Sequence, residues 1–538
     1  MRNSIYIDFI LKNIPKILTQ IDRDEDSKTY GSCDRNHWHL KIRDFSSAIL
    51  QQSGLTLALL NNTKFKGNIY YQNNNFKNWA EATVYYWAKI QLKDGSYNEY
   101  YPFEHGFPPT AFSLYSSCET YRMLGLNDEY LRSKFKRTAK YLVNNIERNA
   151  LNQEIASITA LYSAYTILQE EWILDGLNIK LDKLLERQSL EGWFPEYGGA
   201  DLGYLSVSFD MLSEYYIMSK NEKVIKPLNS IVDFIKYFVH MDKTIGGEYG
   251  SRNTTYFLPN GLEVLSNLGN KDALEIKKFL YSDSLNHNYF MDSVDDRYHS
   301  HYLMHSFLRA LNKETNSYKV VETKVDLPFN TEHEKYFKDS GLLSIKRKEY
   351  HSIVSLKKGG IIKVFKDNKE IFIDCGYRIP LEIGKIATTN WLDDNYDISY
   401  ENEYCIIKGV FNEIKQKVQN PIYHFGLRVI AFAVGNKIIG FLKKKIILVD
   451  KHSNVKFERR IQFEDEKIII SDEITSPSEI ILKKAPNFSL RHVASGKFFS
   501  SSDLFVNNKK WEKIKSIRIK AELDINSEKV ELTYERVE

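Results

Sequence analysis

One loop recurs between helical segments of this chain, and its spacing limits the folds open to it. Glycine, an acidic residue and tyrosine come together in "DGSYNEYYPFEHGFP", "EGWFPEYGGADLGY" and "GGEYGSRNTTYF". The shared pairs are Glu99-Tyr100, Glu196-Tyr197 and Glu248-Tyr249, separated by 97 and 52 residues, about two periods and one. The skipped position falls near "ERNALNQEIAS", which is polar but has no glycine. After each loop comes an apolar helical pattern, and after that a more charged one. A unit of about fifty residues, built as loop, inner helix and outer helix, stacks into a solenoid or closes into a toroid. The loops before the inner helices then emerge at one end, where residues near 100, 196 and 250 should meet.

The helical grammar covers roughly the first three hundred residues. Segments such as "NWAEATVYYWAKIQL", "EYLRSKFKRTAKYLVNNI" and "GYLSVSFDMLSEYYIMS" repeat apolar residues every three or four positions. From about Val320 the segments become short, β-branched and alternating. "SGLLSIKRKEYHSIVSL", "GGIIKVFKDNKEIFIDCG", "VIAFAVGNKIIGFL", "KIILVD" and "NVKFERRIQFEDEKIIISDEI" are separated by Lys358-Gly359-Gly360, Asp367-Asn368 and Gly435-Asn436. That pattern predicts an antiparallel β-sandwich. A chain of 538 residues is too long for one core. The expected division is a helical domain over 1–320 and a β-sandwich domain over 321–538, a multidomain α + β class.

Composition excludes several functions. The 74 basic and 70 acidic side chains leave a net charge of +4, which is no footprint for nucleic acid. Four dispersed cysteines, in no CxxC spacing, argue against a zinc site or a disulfide framework and for a reducing compartment. No apolar run is long enough to span a membrane. The N-terminal "MRNSIYIDFILKNIPKILTQIDRDED" reads as an amphipathic helix without a signal-peptide core, with a membrane-surface anchor as its alternative use. The expected location is therefore cytoplasmic. Neither a P-loop, nor a GxGxxG turn, nor a GxSxG elbow is present, so no cofactor is expected. Aromatic residues reach 13%, with 35 Tyr, a composition suited to flat, hydroxyl-rich ligands such as sugars.

The loops concentrate the candidate residues. The first carries Glu99, Tyr101, Glu104 and His105, whose imidazole titrates near neutral pH and would be charged beside carboxylates. The second carries Trp193, placed to stack on a sugar face, with Glu196, Tyr197, Asp201 and Tyr204 for hydrogen bonds. In the third, Arg252 beside Asn253 suits capture of a carboxylate, Tyr249 or Tyr256 can carry a proton, and Glu248 adds an acid. Arg252 has a plainer reading too, as a brace to another loop's acid. His37 and Arg297 come from "DRNHWHLKIRDF" and "DDRYHSHYLMHSF". In the latter, His301 and His305 are one helical turn apart, but no HExxH pattern encloses them, and no metal is expected. In "NPIYHFGLRV", read as a strand, Tyr423, His424 and Arg428 complete the set.

At these loops the sequence resembles the heparinase II/III-like proteins. "DGSYNEYYPFEHGFPPTAF", "GWFPEYGGADLGY", "GGEYGSRNTTYF" and "SGLLSIKRKEYHSIVSLKKGGIIKVF" carry the resemblance in order over most of the chain. It implies an N-terminal (α/α) toroid followed by a β-sandwich, and lyase chemistry on uronate-containing glycans. It also implies a toroid Asn or His beside the uronate carboxylate, a toroid Tyr, and a His from the sandwich. His105, Asn253 and Arg252 fit the first role, Tyr249 or Tyr197 the second, and His424 or His351 the third.

β-Elimination removes the proton beside the carboxylate and expels the oxygen two carbons away. Groups that stabilise the resulting negative charge act most strongly in the transition state. The alternatives are glycoside hydrolysis by paired carboxylates among Glu99, Glu104, Glu196, Glu248 and Asp201, and glycan binding without catalysis in surface-polysaccharide assembly. In each case the expected partner is an acidic polysaccharide or oligosaccharide.

Overall fold

The computed structural model describes residues 4–282, 290–292, 294–314, 325–401, 403–415, 420–434, 451–486 and 509–537. Helices come first: α1 (Ile7–Leu18), α2 (Arg35–Trp38), α3 (Ser53–Asn62), α4 (Asn74–Lys89), α5 (Phe107–Leu124), α6 (Glu129–Asn144) and α7 (Leu151–Leu168). They continue with α8 (Glu171–Leu185), α9 (Leu202–Ser219), α10 (Ile225–Ile235), α11 (Asn260–Asn267), α12 (Lys271–Tyr281), α13 (Asp296–Tyr298) and α14 (Met304–Lys313).

Helices α3, α5, α7, α9, α11 and α14 touch in that order, and α14 returns to α3. The ring is closed, so of the two repeat architectures the chain adopts the toroid. Inner helices α5, α7 and α9 bury residues on nearly every side, which explains their short polar side chains and lack of an apolar stripe. Outer helices bury one face only. In α6, Leu131, Phe135, Ala139 and Leu142 point inward and the lysines outward, and Asp128 caps the first turn by accepting from the Leu131 N–H at 3.0 Å.

The N-terminal helix is the sixth outer helix. Its apolar residues Phe9, Ile10, Ile14 and Ile17 are buried, and Phe9 stacks on Phe307 of α14 at 4.3 Å. The membrane-anchor reading of this segment is therefore corrected: its apolar face is consumed in closing the toroid.

Loops before the inner helices share one end and bond to their neighbours. Ala48 N–H donates to Asn98, Leu151 to Pro195, Tyr197 to Asn149 and Ser251 to Ala200, at 2.7–3.1 Å. One glycine sets the second loop. Gly192 has φ +104°, and a Cβ there would lie 2.0 Å from the Ser230 carbonyl oxygen. Gly192→Ala is expected to cost about 2–4 kcal/mol, from the left-handed backbone and the clash together. Gly198, with φ +88° but open space around it, should cost only about 1 kcal/mol. Urea midpoints of the two variants check the difference.

Strands β1 (His333–Phe337), β2 (Leu342–Lys346), β3 (His351–Ser355), β4 (Ile361–Lys366) and β5 (Lys369–Asp374) form an antiparallel sheet in chain order. The second sheet holds β6 (Tyr377–Glu382), β7 (Lys385–Thr388), β8 (Asp397–Glu401), β9 (Tyr404–Lys415), β10 (His452–Phe463), β11 (Lys467–Lys484), β12 (Lys510–Asp524) and β13 (Lys529–Arg536). Its order is β10-β9-β7-β6-β11-β12-β13, with β8 on β9. Leu343, Ile345, Val354 and Val364 of the first sheet share a core with Phe411, Phe457, Ile470 and Ile517 of the second. The alternate residues Leu342, Ile353 and Phe365 join the toroid core instead. The first sheet is thus covered on both faces, and β2 and β3 are buried at every position.

One sequence expectation needs adjustment. The segment read as a strand around His424 is a helix, α15 (Pro421–Val434). Asn420 accepts from the Tyr423 N–H at 2.9 Å and Pro421 opens the first turn, a cap-and-proline start that outweighs the β-branched content. The strand expected over "KIILVD" and the turn at Gly435-Asn436 lie outside the described residues. So does the proposed domain boundary at 320/321.

Candidate functional site

The three repeated carboxylates are each paired with a cation from elsewhere. Glu196 accepts from Arg252 Nη1 at 2.7 Å, Glu99 from Arg297 Nη2 at 2.6 Å, and Glu248 pairs with Lys363 of β4 at 3.0 Å. The first two pairs bridge different loops. Arg252 thus serves as a brace, and its position follows from that.

Around Arg252 an aromatic cluster forms. The guanidinium lies over the rings of Tyr197 and Tyr204, at 4.7 and 4.6 Å, and Nη2 reaches the Tyr204 hydroxyl at 3.5 Å. The Tyr204 hydroxyl is also 3.5 Å from that of Tyr298, and Tyr256 and Tyr302 share a hydrogen bond of 3.0 Å beneath them. Asn152, from the skipped repeat, donates its Nδ2 to Glu196. On the other side Arg297 covers the Tyr100 ring at 4.9 Å and donates Nε–H to His301 Nε2 at 3.3 Å. That bond places the neutral ring's own proton on Nδ1. The backbone breaks helical geometry at His301 (ψ −108°) within a wide turn over His299–Leu303, a distortion frequent at functional sites.

Burial decides most of the electrostatics. It raises the Tyr256, Tyr298 and Tyr302 hydroxyls well above their ordinary value, so they remain protonated donors. Burial, helped by Arg297, holds His301 well below its ordinary value and neutral. Burial pushes Glu196 up to about 8 despite Arg252. Glu104, buried beside Glu99, is also pushed up to about 8. Tyr100 is the most open of these groups, and Arg297 and Tyr204 are partly open.

The structure thus brings together Glu99, Glu196, Tyr197, Tyr204, Arg252, Tyr256 and Arg297. Glu104 stays close by, accepting from the Glu99 and Tyr100 N–H groups at 2.6 and 2.7 Å. Tyr101 is half-buried in the same loop.

Other expected residues serve elsewhere. His105 Nδ1 is tied to Asp94 at 2.6 Å and Ser96 at 2.9 Å, below the loop and against α6. Tyr249 is fully buried, its hydroxyl 2.8 Å from His240 Nε2 and accepting from the Gly246 N–H at 2.9 Å. His240 in turn stacks on Phe365 at 4.3 Å, at the junction with the first sheet. His351 lies 6.2 Å beyond that ring and bonds Ser344 at 3.0 Å, so no hydrogen bond joins it to Tyr249.

Asn253 Oδ1 accepts from Lys358 Nζ at 2.5 Å, and the same ammonium reaches the carbonyls of Glu248 and Gly250 at 2.7 and 2.6 Å. Asp201 caps α9 and accepts from the Arg252 N–H at 2.9 Å. Trp193 is buried and donates to Glu191 at 2.9 Å, so it offers no stacking face. His37 Nδ1 lies 3.1 Å from the Arg43 carbonyl oxygen. His424 sits on α15, one turn before Arg428. His305 bonds Gln52 at 3.2 Å and Arg309 at 2.9 Å, apart from the partner of His301.

Sequence reasoning passed over Asn152, Tyr298 and Tyr302. The last two lie in "DDRYHSHYLMHSF", where the close spacing of Arg, Tyr and His was the available signal.

The closed helical toroid followed by an antiparallel sandwich is a polysaccharide lyase-like fold. No sequence-family model matches the chain, and no curated protein matches it by sequence. Solved structures do. The Streptomyces coelicolor A3 chondroitin AC lyase in complex with chondroitin sulphate is 8% identical, with a TM-score of 0.59 over 90% of this chain and 69% of that one. A tyrosine-to-alanine mutant of the same lyase is 9% identical, with a TM-score of 0.56 over the same shares. Heparinase III is 11% identical, with a TM-score of 0.46 over 93% of this chain and 80% of that one. Among the described residues no helix is long and apolar enough to cross a membrane.

Proposed function

We propose that the protein cleaves a uronate-containing glycan by β-elimination at the mouth of the toroid. The observation that carries this reading is Tyr204. Its hydroxyl lies between the Arg252 guanidinium and the Tyr298 hydroxyl, and the side chain is partly open to solvent. Arg297, also partly open, adds a second guanidinium for a sugar carboxylate.

In this reading the guanidinium groups and the protonated Tyr298 stabilise the charge that develops on the carboxylate, where preorganised donors act most strongly. Tyr204, acting in its deprotonated phenolate form, takes the proton next to that carboxylate and so becomes the phenol. The electron pair forms the new carbon–carbon double bond, the glycosidic carbon–oxygen bond breaks, and the proton passes to the leaving oxygen. The exposed Tyr100 ring offers a flat surface for a neighbouring sugar.

The carboxyl of Glu104, held by backbone N–H groups beside Glu99 and pushed up to about 8, supports a second reading. A protonated carboxyl at neutral pH is the acid a glycoside hydrolase needs. One assay separates the two. Uronate-bearing polymers incubated with the protein should gain absorbance at the unsaturated-uronate band. New reducing ends without that absorbance would replace the lyase by the hydrolase, and binding without either would leave a glycan-binding protein.

A further inference from the structure

Helix α15 is oriented against the usual rule. His424, Leu427, Arg428 and Ala431 lie on its protein side, where Arg428 makes a two-pronged ion pair with Asp44 at 2.5 and 3.0 Å. Phe432 meets Phe103 edge-on at 5.1 Å at one border of the contact. The opposite face is apolar and open. Ile422 is 81% exposed, Phe425 70% and Phe432 73%, with Tyr423, Val429, Ile430 and Val434 between and beside them. A surface helix normally turns its charges to water and its apolar stripe to the core. Here the one charged residue, Arg428, faces the protein, and a contiguous apolar patch of this kind marks a docking surface.

The chemistry of the flanking sequence indicates what covers it. From Lys415 to Val449 there are seven Lys or Arg residues and no Asp or Glu. Aromatic and aliphatic side chains on one face of a helix, in a segment with only positive charge, match a surface of anionic lipid headgroups over acyl chains. At 14 residues α15 is too short to span a bilayer and long enough to lie in its surface.

We propose that α15 docks the protein on an anionic membrane surface, inserting Ile422, Phe425 and Val429 among the lipid chains. At one border α15 meets the first loop at Phe103, whereas the proposed docking uses its outer face and does not depend on the reaction proposed for Tyr204.

The test is flotation of the full chain with vesicles of phosphatidylcholine alone and of phosphatidylcholine with phosphatidylglycerol. The chain should float with the anionic vesicles and not with the neutral ones, and added salt should weaken the association. A double variant, Phe425→Ser with Val429→Ser, should partition at least about tenfold more weakly. Its circular dichroism and unfolding midpoint should match the parent, because both side chains are solvent-exposed. Three results would overturn the proposal: no flotation of the parent, equal flotation of parent and variant, or a lipid-free self-association that the variant abolishes. The last would assign the apolar face to a second copy of the chain.

Discussion

Tyr204→Phe should lower turnover of a uronate glycan by about 10²–10⁴-fold, the usual contribution of a positioned proton carrier. Substrate binding should change little, because the ring and both arginines remain. Stability should change little too. The hydroxyl's two contacts, with Tyr298 and Arg252, are both 3.5 Å long, and the group is partly solvated. The contrast with Tyr249→Phe is informative. Tyr249 is buried at the toroid–sandwich junction and holds His240 and the Gly246 N–H, so losing its hydroxyl should cost about 1–3 kcal/mol of stability. Steady-state kinetics with thermal melts on both variants separate the roles. Retention of most of the activity by Tyr204→Phe would remove Tyr204 from the mechanism.

Arg459→Met should destabilise the protein by about 3–5 kcal/mol, as expected when one partner of a buried charge network is removed. Arg459 is buried between β-strands. It donates to Asp472 at 2.7 and 2.9 Å, to Asp374 at 3.1 Å and to the Gly360 carbonyl at 3.0 Å. Lys484 also reaches Asp374, at 2.6 Å.

Burial alone would raise the Asp374 carboxyl, but Arg459 and Lys484 overcome it and hold the group well below the carboxylate range. A depressed folded value contributes stability that is complete above the unfolded value, roughly pH 4, and is lost as pH falls below it. In the variant one compensating charge is gone, and Asp374 moves toward protonation. The difference between parent and variant should therefore be full at neutral pH and shrink in acid. Urea titrations at pH 7 and at about pH 2.5 test this, and a gap that widens in acid would contradict it.

The parts legible in the sequence were those set by period. Inner and outer helices differ in how much of their surface is apolar, and that difference shows in any single repeat. The strands of the first sheet announce themselves through β-branched runs and the Lys358-Gly359-Gly360 and Asp367-Asn368 turns. The site was legible only as a set of loops. Glu196 and Arg252 are 56 positions apart, and Glu99 and Arg297 are 198 apart. Nothing local says which acid meets which base.

Burial was the second unknown. Trp193 and Tyr249 look like ligands on paper because their residue types suit sugars, yet the same amphipathic rings pack equally well in a core. Tyr298 and Tyr302 were masked by neighbouring histidines that drew attention to metals. Helix α15 failed for a third reason. His424 and Arg428 are too few to set a helical period against the apolar remainder, and only Asn420-Pro421 marked its start.

Lys358 ties these observations together. One ammonium from the sandwich, between β3 and β4, closes on two carbonyls and an amide of the loop that carries Arg252. A loop without regular structure thereby has its shape fixed by a residue more than a hundred positions later in the chain. The loop end of the toroid is therefore a joint product of both halves. A recombination event that exchanged the sandwich for another would alter the setting of Arg252 without touching a residue of the toroid. If the proposed reaction holds, its specificity has a control point at the back of the loop, in a contact made by the sandwich.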